Sequence, residues 1–224
     1  MRIKIDLKLP EIHVNRVIRS FIAADLLLWG GWGLVNPVFA LFVIDRIAGA
    51  TPMTVGIAVG IYWLVRSVIQ VPAAMFLDRH KGEKDDFFTL VTGLVLAGFA
   101  AMAFPIVANV SGLIVVAFLQ GVAFGLYIPA WSAMFSRHLD KEHYAFDWSL
   151  DNTTLGIASG IAAVVGGTAV SFFGFNAIFI FAGALSFASA LLLVMVPSLI
   201  FPDGKESAGG APFIRDHTPA GTPH

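Results

Sequence analysis

Six apolar runs, each about 20 residues or longer, succeed one another along the chain with only short polar breaks between them. They cover 21–44, 53–77, 87–107, 112–136, 147–173 and 175–200. A run of that length predicts a helix that crosses a bilayer. Three breaks carry turn residues: Gly-Ala-Thr-Pro at 49–52, Ala-Asn-Val-Ser-Gly at 108–112 and Gly-Phe-Asn at 174–176. Two longer breaks, 78–86 and 137–144, are charged. Residues 1–19 form a basic lead-in whose apolar positions alternate as far as Leu9 and turn amphipathic after Pro10. Such a segment suits the membrane surface. Residues 20–201 make the predicted bundle, and 202–224, rich in Gly, Pro and polar residues, a disordered cytoplasmic tail.

Composition strengthens this reading. Apolar residues make up 57 % of the chain and charged residues 13 %, about half the charged share of a soluble domain. The fold class is therefore an all-α membrane protein of six transmembrane helices. The net charge of −1 is segregated into loops and directs nothing at nucleic acid. With no cysteine, disulfides and thiolate metal sites are excluded. The first run is too long for a signal-peptide core and lacks a cleavage site, so it is read as retained. With the N-terminus inside, Arg46 is the one basic residue outside and Arg66 sits within a span, leaving the other 12 of the 14 Lys and Arg on the inner side. The positive-inside rule then places both termini in the cytoplasm.

Polar residues within the spans fall into stripes. Asp25, Trp29, Trp32 and Asn36 share a helical face in the first span, as do Tyr62, Arg66 and Gln70 in the second. Gln120, Phe124, Tyr127 and Trp131 do so in the fourth, and Asp147, Asp151 and Thr154 in the fifth, with Asn152 beside them. The third and sixth spans hold no charge. Four helices are thus expected to line a wet cavity, with two packed outside. Each stripe also has a blander reading. Trp and Tyr serve as interfacial anchors, and Asp147 suits a helix start. Arg66, roughly 18 Å of helix from Asp78, could form a structural ion pair with Asp25 or Asp151. A charge near the midplane favours instead a site for an anion or a proton. Paired glycines, such as Gly56 with Gly60, Gly121 with Gly125 and Gly156 with Gly160, permit close helix contact, and Pro37, Pro72 and Pro129 permit bends.

The break after the second span, Ala74-Met75-Phe76-Leu77-Asp78-Arg79-His80-Lys81-Gly82-Glu83-Lys84, resembles the G-x-x-x-D-R-x-G-R-K signature of the major facilitator superfamily. Asp78 and Arg79 match its acid-base pair, Gly82 its glycine displaced by one place, and Lys81 and Lys84 its basic charge. Glu83 and Ala74 depart from it. Leu119-Gln120-Gly121 is similar to the family's R-x-x-Q-G element, with Ala117 where the arginine would be and Arg66 available on a neighbouring helix. The stretches from Gly125 to Arg137 and Asp151 to Gly167, and the Phe-rich sixth span, also read like the family. The resemblance covers about residues 15–200 and implies one N-terminal six-helix half of a twelve-span fold. It also implies a gating loop formed by Asp78, Arg79, Gly82 and Lys84.

The resulting expectation is a half-sized secondary-active transporter for a small polar or anionic solute, alternating access as a dimer of six-helix bundles. Its partners would be that solute, the lipid bilayer, and a second copy or a separately encoded half. A truncated gene product is the further alternative. Substrate would meet Arg66, Gln70, Asn36, Trp32, Gln120, Tyr127, Trp131 and Asn152, with Asp25 and Asp151 carrying charge or protons. A non-transporting scaffold, assembly or receptor module on the same half fold is the alternative. A membrane enzyme is disfavoured: no Gly-x-Ser-x-Gly element is present, and every histidine lies in a tail or an inner loop. No cofactor or metal is expected, since His138, Asp140, Glu142 and His143 read as a solvated loop.

Overall fold

Proline and glycine decide where the apolar runs bend. The computed structural model describes residues 16–79, 83–139 and 144–196. Among them are helices α1 (Arg16–Val35), α2 (Phe39–Arg46), α3 (Pro52–Arg79), α4 (Lys84–Ala103), α5 (Val110–Arg137) and α6 (Tyr144–Val194). A 3₁₀ turn, Phe104–Ile106, extends α4. Residues 16–19 form the opening turn of α1, whereas the rest of the lead-in and the tail at 202–224 lie outside the described residues.

The run predicted as one span at 21–44 is broken. Pro37 lacks an N–H and disfavours helical geometry in the residue before it; α1 stops at Val35 and α2 resumes at Phe39. By contrast α3 runs unbroken through Pro72, and α5 through Pro129. Thr51 and Thr54 close the start of α3 with reciprocal bonds: the Thr51 N–H donates to Thr54 Oγ1 at 3.0 Å, and the Thr54 N–H to Thr51 Oγ1 at 3.4 Å. Asn109 caps α5, its Oδ1 accepting the Gly112 N–H at 2.8 Å.

Helix α6 holds 51 residues, about 75 Å if straight and more than twice the apolar thickness of a bilayer. It turns at Gly174, where φ is 74° and ψ is 173°, a backbone that disfavours any side chain. The limb 144–173 and the limb 175–194 both return to α1. Gly33 approaches Ser159 and Ala162 on the first limb, and Gly31 approaches Ala182 on the second. Among the described residues five helices are long and apolar enough to cross a membrane. Because α6 folds back on itself, they supply six crossings, matching the six apolar runs.

Helix α1 packs chiefly on α6, α5 on α3 and α4, and α4 on α6. Contacts of small residues set this order. Gly121 and Gly125 of α5 meet the Tyr62 and Arg66 carbonyls of α3, Gly93 of α4 meets the α5 backbone at Ala123 and Tyr127, and Gly183 meets the Gly98 carbonyl. Ser189 Oγ donates to the Ala24 carbonyl at 2.8 Å and fixes the second limb against α1. At the Pro37 end, Phe42 lies 4.6 Å from Phe179 and Phe104 lies 5.0 Å from Phe179, ring centre to ring centre. These rings tie α2, α4 and the second limb together. There too the Ala48 N–H donates to the Ala108 carbonyl at 3.1 Å.

Candidate functional site

Three of the four predicted stripes converge on Phe124. Its ring lies 5.5 Å from both Trp29 and Trp32 of α1, 5.9 Å from Tyr62 of α3 and 6.1 Å from Tyr127. One turn further along α5, Trp131 stacks on Phe135 at 4.6 Å and meets Trp148 of α6 edge-on at 5.7 Å. That second contact joins α5 to the first turns of α6, through a tryptophan the stripes did not include. The charge-free lengths of α4 beyond its first turn and of the second limb pack behind.

Asp25 of α1 and Asp151 of the first limb are both buried, on helices that pack against each other. Each is only 2 % exposed, and the two carboxyl groups lie within electrostatic reach of one another. Among the described residues neither has a cationic partner, and one oxygen of each lacks a hydrogen bond. The indole N–H groups of Trp32 and Trp131 are likewise buried without an acceptor. Four unpartnered polar groups on α1, α5 and the first limb are costly inside a bundle. Such a cost is typical of a place where a ligand or proton completes the bonding.

Arg66 is held within its own helix. Its Nη1 donates to Tyr62 Oη at 3.2 Å, and its guanidinium stands 4.6 Å from the centre of the Trp63 ring. The structural ion pair with Asp25 or Asp151 is not formed. The reason is local: Tyr62, one turn earlier on α3, offers its hydroxyl at i−4, and Trp63 supplies an aromatic face. Arg66 and Gln70 of α3 and Gln120 of α5 are half-buried, and Tyr127 is buried beside them. Asn36 is exposed just past the end of α1, its N–H bonded to the Trp32 carbonyl. Asn152 is exposed too, its Nδ2 donating to the Trp148 carbonyl at 2.9 Å. These two amides are the predicted residues least drawn into the face.

At the Arg-rich end, Asp78 and Arg79 close α3 and Lys84 opens α4, all three exposed. Gly82 lies outside the described residues. Neither Asp78 nor Arg79 makes an ion pair among the described residues. The contact that ties this end is one the sequence pattern did not single out. Arg137 Nη1, at the end of α5, bonds to Asp86 Oδ2 at the start of α4, and Asp86 is almost fully buried. His138 supports it, with Nδ1 donating to the Met134 carbonyl at 2.9 Å and Nε2 lying 3.8 Å from Glu83. The available signal was the opposite charge of two residues flanking antiparallel neighbours. Asp147, as predicted for a helix start, sits in the first turn of α6. Of the four residues weighed as a metal loop, Asp140, Glu142 and His143 lie outside the described residues.

The sequence profile of the Major Facilitator Superfamily matches residues 22–221. The chain belongs to that superfamily. An MFS-type transporter of Methanocaldococcus jannaschii is 24 % identical over 177 residues, covering 79 % of this chain and 44 % of the relative. The proton-coupled antiporter flippase LtaA of Staphylococcus saprophyticus is 26 % identical over 96 residues, covering 43 % of this chain and 24 % of the relative. The crystal structure of the POT family transporter PepTSo superposes with a TM-score of 0.66 at 15 % identity, over 85 % of this chain and 39 % of that one. It shows the fold. The chain spans less than half the length of these relatives. It is a multi-pass membrane protein of a transporter family, and these likenesses point to transport rather than to enzymatic chemistry.

Proposed function

We propose that the chain is one half of a secondary-active transporter for a small polar or anionic solute, paired with a second copy of itself. Arg66 anchors the solute, Gln70 and Gln120 bond to it, and Trp32, Tyr127 and Trp131 shape its pocket, with Asn36 and Asn152 at the margins. Asp25 and Asp151 carry protons or compensating charge, and the loop with Asp78, Arg79, Gly82 and Lys84 gates the cytoplasmic side. The observation that carries this reading is that Asp25 and Asp151, buried on two helices that pack together, have no cationic partner among the described residues and each leave one carboxylate oxygen without a hydrogen bond. A proton-coupled antiporter among the relatives supports it.

The second half is inferred from two open rims. Helix α3 presents Leu64, Val68, Val71 and Met75 along one exposed face, and the first limb of α6 presents Ile157, Ile161, Val164 and Phe172. Gly56, Gly60, Gly156 and Gly160 on the same two elements have no neighbour within 4 Å of a Cβ position. A second six-helix bundle related by an axis along the membrane normal covers both rims.

The test is uptake into vesicles across a panel of polar and anionic solutes, comparing wild type with Arg66→Ala and Asp25→Asn. We expect each variant to lose about tenfold or more in rate, roughly 1.4 kcal/mol. Uptake untouched by both changes sinks the site assignment. A scaffold built on the same fold would have its stripes sealed by a pair such as Arg66 with Asp151, which is not formed. A detergent-corrected mass equal to one chain, with no uptake, favours that reading instead.

A further inference from the structure

On the side of the bundle away from the converging stripes, α1 and the second limb of α6 leave a groove of about 840 Å³. Its α1 wall is Arg16, Arg19, Ser20, Ala23 and Leu27, positions that recur every three or four residues on one helical face. The facing wall is Ala188, Leu191, Leu192, Met195 and Val196. The Ser189 bond to the Ala24 carbonyl holds the two helices together alongside it.

The groove has two chemically distinct parts. One mouth carries two exposed guanidinium groups, and neither Arg16 nor Arg19 makes an ion pair among the described residues. Among the described residues no carboxylate lines it. Ser20 is already engaged, its Oγ donating to the Arg16 carbonyl at 3.0 Å. Below the arginines every lining side chain is apolar, with Leu191 and Met195 strongly exposed. From Arg16 to Leu27 the wall runs about 16 Å along the helix, and the volume falls within the range of roughly 300–1,000 Å³ usual for ligand sites. A cationic mouth over an apolar trough, on the surface of a membrane-embedded bundle, matches a molecule with an anionic head and a hydrocarbon tail. Two guanidinium forks suit a phosphate, whose oxygens accept paired N–H bonds.

We propose that this groove holds an anionic phospholipid of the cytoplasmic leaflet, with its phosphate on Arg16 and Arg19 and an acyl chain between Leu27 and Leu191. The leaflet follows from the basic residues gathered at this end. The site is separate from the converging stripes and independent of what solute is carried.

The experiment is native mass spectrometry of the full chain in detergent with phosphatidylglycerol or phosphatidylcholine of identical acyl chains. Wild type is expected to retain phosphatidylglycerol about tenfold better, roughly 1.4 kcal/mol. The double variant Arg16→Gln, Arg19→Gln is expected to lose that preference. Ala188→Trp, which fills the trough and leaves both arginines, is expected to lower retention of both lipids, and Arg46→Gln at the opposite end to change nothing. Wild type that binds both lipids equally overturns the proposal, as does a preference that survives the double variant. So does retention indifferent to Ala188→Trp, since surface charge alone then attracts the lipid. A monodisperse elution profile qualifies each variant for comparison.

Discussion

Glycines in this bundle serve two regions in opposite ways. On the packed side, Gly93, Gly121, Gly125, Gly166 and Gly183 lie where another helix passes so closely that a methyl group would strike backbone or a Cβ. On the rims, Gly56, Gly60, Gly156 and Gly160 face open space. Helix association in a bilayer gains little from burying apolar surface, because lipid tails are as apolar as leucine. Close approach, dispersion and a few hydrogen bonds do the work instead. Covered glycines therefore mark where helices of this bundle approach most closely, and open ones mark the rims where the proposed second half would dock.

The comparison breaks most visibly at Gly166. A Cβ there collides with the Leu34 backbone, so Gly166→Leu forces α1 from the first limb, at a cost of about 3 kcal/mol or more. Loss of the monodisperse peak in size-exclusion chromatography is the expected result, and a normal thermal midpoint would show that the contact is slack. Next in size is Arg137→Gln, which strands the buried Asp86 carboxylate. Breaking a fully buried pair costs about 3–5 kcal/mol, and the partial exposure of Arg137 lowers that to about 2. A thermal midpoint in detergent should fall accordingly, with Asp86→Asn in the same chain restoring part of it.

Ser189→Ala removes one hydrogen bond between α1 and the second limb, worth about 0.6 kcal/mol in a bilayer. A midpoint shift near the limit of detection is expected there. The double change Gly156→Leu, Gly160→Leu sharpens the comparison from the open side. It should leave the midpoint of the single bundle unmoved and, if the proposed pairing uses this limb, halve the detergent-corrected mass. An unchanged mass would count against the proposed pairing through the first limb.

Much of the architecture was legible from local pattern. Apolar length located all six crossings, and the stripes named Asp25, Trp32, Phe124, Tyr127, Trp131 and Asp151 before their helices were brought together. Three features were not legible. The break after Val35 depends on whether neighbours support a helix through proline: Pro72 and Pro129 are carried through and Pro37 is not. The partner of Arg66 is the hydroxyl one turn away, whereas the structural alternative weighed for it was an ion pair with Asp25 or Asp151. The Asp86–Arg137 bond joins residues 51 positions apart, and only the antiparallel packing of α4 on α5 makes them neighbours.

By itself, then, the sequence determined which segments cross the bilayer, where positive charge collects and which helix faces are polar. Each of these is a free energy of transfer or of local geometry, summed over a few consecutive residues. Tertiary structure alone decided that Asp25 and Asp151 are buried on helices that pack together, that Arg137 reaches Asp86, and which glycines are covered. Those outcomes depend on how closely two distant backbones can pass, a property that belongs to the pair of helices and to neither one alone.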